Sequence, residues 1–396
     1  MNLLSSKEEL ASAGALYTSK EIIQQPKLWA EAAEIIQQQI DQITLFLDNI
    51  QSRHDRIKII FTGAGTSAFI GDTLLPYLKM ISQDSKFDLE SIPTTDIVSN
   101  PYYHLERDFP VLLISFARSG DSPESYAAVQ LVNQLVQNAY HIIITCNKNG
   151  ELANQEGSHS RSYILLMPEE ANDKGFAMTS SFTTMMLSCL LLFQHYFGRY
   201  TEKTIEALSV SAAHVLQQHK NSLKAITEQP FKKLIYLGSG VFKGLACEAS
   251  LKFLELTGGT IPCMYDTSLG FRHGPKTFYD ENSAVILFLS SNSYTRNYDL
   301  DILKELFLDP KKGTVIVISS QEDDAARSYC DHFLITHVEN QEEDIILSFP
   351  YIIIAQILAL YKSISVGLKP DNPSLDGKVN RVVKGVRIYP HHKFSK

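Results

Sequence analysis

Apolar and polar positions along this chain fall into short runs, and the set of runs occurs twice. Ile57-Lys58-Ile59-Ile60-Phe61 reads as a strand that meets Thr62-Gly63-Ala64-Gly65 and then a helical pattern. Leu234-Ile235-Tyr236-Leu237 likewise meets Gly238-Ser239-Gly240 and another helix, and Gly65 and Gly240 are 175 positions apart. Val111-Leu112-Leu113-Ile114-Ser115 matches Val285-Ile286-Leu287-Phe288-Leu289-Ser290, with Ser115 and Ser290 again 175 apart. Apolar runs over 141–145 and 163–167 correspond to 314–318 and 332–336, and each half closes on a long apolar run, 182–197 and 345–361. About five short strands alternating with helices in each half predict a parallel sheet covered on both faces.

The same pattern sets the organisation. A helical segment of about two helices is expected over 1–50, an α/β domain over 51–200, a connecting helix over 201–230, a second α/β domain over 231–367, and a tail over 368–396 that wraps over the domains. One N-terminal helix is expected to start at Thr18-Ser19-Lys20-Glu21, which has the spacing of a capping box. The two long apolar runs contain Gln194 and His195, and Pro350 and Gln356, and fall short of the roughly 20 clean apolar residues of a membrane span. Buried helices are expected.

Composition narrows the classes of function. At 396 residues the chain exceeds one ordinary core, and its 44% hydrophobic and 20% charged content is that of a globular protein. A net charge of -8 argues against nucleic acid or an acidic membrane as partner, without forbidding an anionic substrate held by local backbone donors. Cys146, Cys189, Cys247, Cys263 and Cys330 show no CxxC pair and no paired Cys/His spacing, which suits a reducing, cytoplasmic setting and gives no zinc site. The polar start, Leu4-Ser5-Ser6-Lys7, leads to the expectation of no secretory signal.

Ligands of open α/β sheets bind beyond the carboxyl ends of the strands, so the loops after Phe61, Ser115, Leu237 and Ser290 are the ones to inspect. The second of these reads Phe116-Ala117-Arg118-Ser119-Gly120-Asp121-Ser122-Pro123-Glu124-Ser125 and runs into a helix. Small hydroxylated residues and glycine at a strand-to-helix turn suit an anion, with Pro123 fitting the first helical turn. The alternative is a plain Ser/Asp N-cap. Gly65-Thr66-Ser67 is expected beside it, while the matching loop Ser290-Ser291-Asn292-Ser293-Tyr294 lacks the Ser-Gly pair; one half retains an anion site and the other is free for chemistry. Gly63-Ala64-Gly65-Thr66-Ser67-Ala68 also fits a dinucleotide fingerprint, with Asp88 or Glu90 as ribose partner, but that reading leaves the second loop and the duplication unexplained.

The helix after Gly240 carries Glu248, Lys252 and Glu255 at i, i+4, i+7, on one face of an otherwise nearly apolar element. A solvated stripe is the plain alternative. Its position favours chemistry: the helix opens at a ligand loop and is followed by Ser268-Leu269-Gly270-Phe271-Arg272-His273-Gly274-Pro275-Lys276, whose histidine is an acid/base candidate.

At these residues the chain resembles the two-domain SIS (sugar isomerase) family. Glu248-x-x-Leu251-Lys252-x-x-Glu255 with Arg272-His273-Gly274-Pro275 is similar to the isomerase half of glucosamine-6-phosphate synthase, and Glu21-Ile22-Ile23-Gln24-Gln25-Pro26 to the segment that introduces it. No glutaminase half is expected, and position 2 is Asn2, so no N-terminal cysteine nucleophile is expected either. Ser115-Phe116-Ala117-Arg118-Ser119-Gly120, Gly270 to Pro275 and Val379-Asn380-Arg381-Val382-Val383 resemble the galactosamine-6-phosphate deaminase/isomerase branch. The synthase pattern Ser-x-Ser-Gly is here Ala117-Arg118-Ser119-Gly120, leaving Arg118 either to compensate for the missing hydroxyl or to face solvent.

The resemblance implies two tandem flavodoxin-like domains and conversion of galactosamine 6-phosphate to tagatose 6-phosphate and ammonia. It implies phosphate held by Gly65, Thr66, Ser67, Arg118, Ser119, Gly120 and Ser122, with Arg272 nearby. His273 would open the ring, and Glu255 would move the C2 proton to C1 with a pKa raised by burial against Leu251 and Leu254. Lys252 would stabilise the enolate oxygen or form a Schiff base, and Glu248 would hold Lys252. Neither metal nor organic cofactor is expected, and His273 would reach the neighbour's site in a homodimer or higher homo-oligomer. The rivals are a simple aldose/ketose isomerase, a glucosamine- or fructosamine-6-phosphate deaminase, and a sugar-phosphate-sensing regulator. The last would normally bring a basic helix-turn-helix, which the N-terminus lacks.

Overall fold

The structure, a computed structural model, describes every residue except 1, 2, 4, 158, 159, 339–342, 375, 376, 378, 379, 382, 384 and 392–396. The expectations placed on Asn2 and Leu4, and on Val379 and Val382 of the tail motif, lie outside the described residues. Three helices come first: α1 (Lys7–Ser12), α2 (Leu16–Ile23) and α3 (Gln25–Gln51). The first α/β unit follows as β1 (Ile57–Thr62), α4 (Thr66–Ile81), β2 (Phe87–Ser91), α5 (Thr94–Ser99), β3 (Val111–Ala117), α6 (Pro123–Leu135), β4 (Ala139–Thr145), α7 (Glu151–Glu156), β5 (Ser162–Leu166) and α8 (Ser180–Tyr196). Two helices, α9 (Lys203–Gln218) and α10 (Lys220–Glu228), stand where one connecting helix was expected. The second unit is β6 (Lys233–Leu237), α11 (Val241–Leu256), β7 (Cys263–Asp266), β8 (Ser283–Phe288), α12 (Ser293–Phe307), β9 (Thr314–Ser319), α13 (Asp324–Arg327), β10 (His332–Ile335) and α14 (Asp344–Ser365).

Both sheets are parallel, in the orders β2-β1-β3-β4-β5 and β10-β9-β8-β6-β7. Read from the other edge, the second order repeats the first, and both are the flavodoxin-like arrangement. The strand period divides the apolar side chains between two layers. Ile57, Ile59 and Phe61 of β1 and Ala284, Ile286 and Phe288 of β8 join one large shared core with α3, α8, α11 and α14. Ile60 of β1 and Val285 and Leu287 of β8 face two smaller outer cores. The fold is therefore two sheets sharing a middle layer of helices.

The two apolar runs form the centre of that layer. Every residue from Ser180 to Gln194 of α8 is buried, and α14 is 94% buried over its most apolar window. By length and composition α14 is apolar enough to cross a membrane; here it packs beneath both sheets. The capping box expected at Thr18 does not form. Helix α2 starts at Leu16, Thr18 donates its backbone N–H and hydroxyl to Asp371 Oδ1 (both 2.8 Å), and the carboxylate of Glu21 turns to a distant loop. A capping box does form one helix earlier, between Ser6 and Glu9.

Helices α4 and α11, the equivalent first helices of the two units, cross at Gly244. A Cβ there would lie 2.5 Å from the Thr73 backbone nitrogen and 2.7 Å from the Asp72 carbonyl carbon, so only glycine admits this approach. Gly244→Ala is expected to destabilise the protein by about 1–3 kcal/mol, the usual cost of overpacking against an unyielding neighbour. Equilibrium denaturation checks this, and unchanged stability would contradict the crossing.

Candidate active site

The site is built where that crossing presents α11 to the strand ends of the first unit. Each of α4 and α11 is entered through a glycine in one unusual conformation, Gly65 at φ 56°, ψ -126° and Gly240 at φ 61°, ψ -125°. Residues with a Cβ are strained there, so the repeated glycines reflect a repeated turn. In the first unit the turn puts Thr66 and Ser67, each about 5% exposed or less, at the start of α4.

A cavity of about 180 Å³ opens at this point. Gly65, Thr66 and Ser67 line it together with Arg118, Ser119, Gly120, Ser122 and Ser125 of the loop after β3, and Glu255 of α11 reaches into it. Seven expected anion-loop residues and the expected base thus share one cavity. Ser122 stands at the N-cap of α6 with its hydroxyl in no capping hydrogen bond, so the plain-cap alternative is not what this loop does. Arg118 does not face solvent. It is buried, and its guanidinium donates to the carbonyls of Phe176 (3.4 Å) and Arg381 (2.6 Å). Burial, and then the neighbouring Arg381, pushes its pKa down.

The Glu248, Lys252, Glu255 row is not a solvated stripe. Glu248 and Lys252 are wholly buried and the Glu255 side chain is one-quarter exposed, at the cavity end. Lys252 Nζ contacts Glu255 Oε2 directly and lies 3.8 Å from Glu248 Oε1, so the ammonium is held more closely by Glu255 than by Glu248. The deepest desolvation falls on Glu248, whose carboxyl burial pushes up to about 8 against the opposing pull of Lys252. Leu251 and Leu254, expected beside Glu255, are half-buried.

Two expected participants lie elsewhere in the chain. His273 is exposed and outside the cavity, and Arg272 is paired with Glu305 (Nε–Oε2 2.8 Å), which also takes Lys276 (2.5 Å). Conversely, Phe176, Met178, Asn380, Arg381 and Val383 line the cavity. The sequence signalled the last three only through the tail motif, without a role. Phe176 and Met178 sit on the 172–178 loop, whose Asp173 carboxylate accepts the Thr179 and Ser181 N–H groups (2.8 and 2.9 Å) at the start of α8. Arg381 donates to the carbonyl of Asp173 and, at 3.2 Å, to Asn172 Oδ1.

The second unit shows why its own loop is not an anion site. Asp344, at the start of α14, accepts the Ser290 hydroxyl (2.5 Å) and the Ser291 N–H and hydroxyl (2.7 and 2.8 Å). Asp299 accepts the Ser290 N–H (3.1 Å) and contacts the Ser268 hydroxyl. Two of the protein's own carboxylates take the donors that an anion would need. Among the described residues no cluster of His, Cys, Asp or Glu is arranged to hold a metal.

Fold and site together define a parallel α/β class with a loop-lined cavity at the strand ends, and comparison with known proteins places the chain within it. The SIS domain model matches residues 53–195 and 229–365, and the chain belongs to that family. It is 42% identical over 394 residues to a Shewanella sp. (strain ANA-3) protein named D-galactosamine-6-phosphate deaminase AgaS, covering 99% of this chain and 96% of the relative. Tagatose-6-phosphate ketose/aldose isomerase from Escherichia coli superposes with a TM-score of 0.86 at 39% identity, covering 94% and 96% of the two chains. A solved structure from Clostridium novyi NT superposes at 0.94 with 45% identity over 99% of each.

A pH test follows from the buried carboxyl. The folded-state pKa of Glu248 is above its ordinary value of 4.5, so between about 4.5 and 8 the folded chain keeps a proton that the unfolded chain has released. Stability is therefore lost as pH rises through that window. Glu248→Gln should flatten the fall by up to about 1.4 kcal/mol per pH unit. Urea unfolding across the window checks this; a slope equal to that of the wild type would show that Glu248 is not the group concerned.

Proposed function

We propose that this chain converts galactosamine 6-phosphate and water to tagatose 6-phosphate and ammonia. The observation that carries the reading is that Glu255, from one unit, enters the anion-loop cavity of the other. The relative named D-galactosamine-6-phosphate deaminase, 42% identical over nearly the whole chain, supports the choice of substrate. The phosphate rests on Ser67, Ser119, Ser122 and neighbouring N–H groups, with the helix termini adding positive potential. In the open-chain aldehyde Glu255 takes the proton from C2, and the electron pair forms the C1–C2 double bond as charge moves onto O1. Lys252, buried behind the cavity and outside its lining, acts on this step through its contact with the Glu255 carboxylate rather than by touching O1. Return of the proton to C1, with a proton passing from the C2 nitrogen to O1, leaves an imine at C2 beside a C1 hydroxyl, and water replaces the nitrogen to give the ketone and ammonia.

His273 opens the sugar ring from a neighbouring subunit in this reading. Its exposure, and its place outside its own chain's cavity, support a reciprocal contact across a two-fold axis. A cytoplasmic setting suits the five free thiols.

Purified protein with EDTA and no nicotinamide should release ammonia from galactosamine 6-phosphate. Activity on tagatose 6-phosphate without ammonia release from the amino sugar would replace deamination by simple isomerisation, the activity named for the Escherichia coli neighbour. Glu255→Gln should lower turnover by about two orders of magnitude with binding retained, while Ser119→Ala should mainly weaken binding, by roughly 1 kcal/mol. Exchange of these signatures would overturn the assigned roles.

For the shared site, Glu255→Gln and His273→Ala subunits should be mixed. Each mixed dimer would regain one intact site, recovering up to about a quarter of wild-type activity. No recovery would assign His273 to its own chain.

A further inference from the structure

We propose that Glu21 is a positioning residue for this site, holding from the N-terminal segment the loop that walls the sugar-phosphate cavity. Glu21 lies on α2, outside both segments matched by the SIS domain model, and the reaction steps above do not use it. It is 4% exposed. Its Oε1 accepts the backbone N–H of Lys174 (2.5 Å) and of Gly175 (3.0 Å), and Oε2 lies 3.3 Å from the latter. The loop presses against it: a Cβ on Gly175 would come 2.7 Å from Glu21 Oε2.

What this grip controls is the next stretch of chain. Phe176 and Met178 line the cavity, the Phe176 carbonyl is a partner of buried Arg118, and Met178 Sδ lies 3.8 Å from the Ser67 hydroxyl. The ends of the loop have other anchors, since Asp173 is bound to the start of α8 and to Arg381. The N–H groups of Lys174 and Gly175, in the middle, go to Glu21.

A buried carboxyl is an expensive way to satisfy two amides unless their position matters. Burial, then the nearby Asp173 carboxylate, raises the Glu21 pKa to about 8, with Asp371 of the tail adding to the effect and the two N–H bonds opposing it. Loss of the carboxyl should let Phe176 and Met178 move away from the phosphate-binding hydroxyls.

The test uses the full-length protein, with KM and kcat for ammonia release from galactosamine 6-phosphate. It rests on the proposed reaction for its substrate. Glu21→Ala should raise KM about tenfold or more with kcat changed less than about threefold, as expected for a displaced binding wall. Glu21→Gln, whose amide oxygen accepts the same two N–H groups, should return KM to within about threefold of wild type. Ser6→Ala, which removes the capping box of α1 away from this loop, should lower the melting temperature and leave KM unchanged.

Unchanged KM in Glu21→Ala, or an equal rise in Glu21→Gln and Ser6→Ala, would overturn the assignment. If Glu21→Ala does not fold, Glu21→Asp decides: its shorter arm should raise KM, and an unchanged KM overturns the proposal. Calorimetric Kd for galactosamine 6-phosphate separates the two readings. Wild-type protein that binds the sugar but releases no ammonia refutes the reaction, and Glu21 is then judged by the same shifts in Kd.

Discussion

The close crossing of α4 and α11 at Gly244 is the contact on which this architecture turns. Two helices that each begin at a strand end are brought to backbone distance because one residue has no side chain. That approach sets Glu255 of the second unit at the cavity formed by the first, and buries Glu248 and Lys252 behind it. A buried ammonium is costly unless its charge is compensated, and here Lys252 contacts the Glu255 carboxylate at the partly open end of a row whose dry end is the protonated Glu248 carboxyl. The gradient leaves the carboxylate nearest the cavity accessible to a substrate.

The duplicated units show how one turn acquires two fates. Gly65 and Gly240 share a conformation, and both units keep the same sheet order. In the first, the hydroxyls and amides beyond β3 line a cavity. In the second, Asp344 and Asp299 accept the corresponding donors, and burial raises the Asp299 carboxyl to about 6. The protein's own carboxylates take the donors of the second unit's loop, and α11 from that half reaches the cavity of the first.

The central strands and the Glu248, Lys252, Glu255 row were legible in the sequence because both rest on strict periods. The edge strand β2 was missed: Phe87-Asp88-Leu89-Glu90-Ser91 alternates polar residues through a half-buried run too short to stand out. The capping box at Thr18 was misread because Thr18 and Glu21 are committed to contacts distant in the chain, with Asp371 and the 174–175 amides. Phe176, Met178 and Arg381 belong to loop and tail, where no period marks which side chains turn inward. Arg118 carried a readable identity but not a readable direction; only its carbonyl partners on Phe176 and Arg381 fix that.

The claim that a carboxylate from one unit takes a proton from a sugar held by the other is tested most directly by isotope exchange. Galactosamine 6-phosphate would be incubated in D2O and followed by proton and carbon NMR. The account predicts that wild-type protein removes the C2 proton signal and leaves at C1 of the tagatose 6-phosphate either that same proton or deuterium that the partly exposed Glu255 has exchanged from solvent. It also predicts no such exchange with Glu255→Gln, although that variant still binds the sugar. Exchange at C2 continuing at the wild-type rate in Glu255→Gln would contradict it.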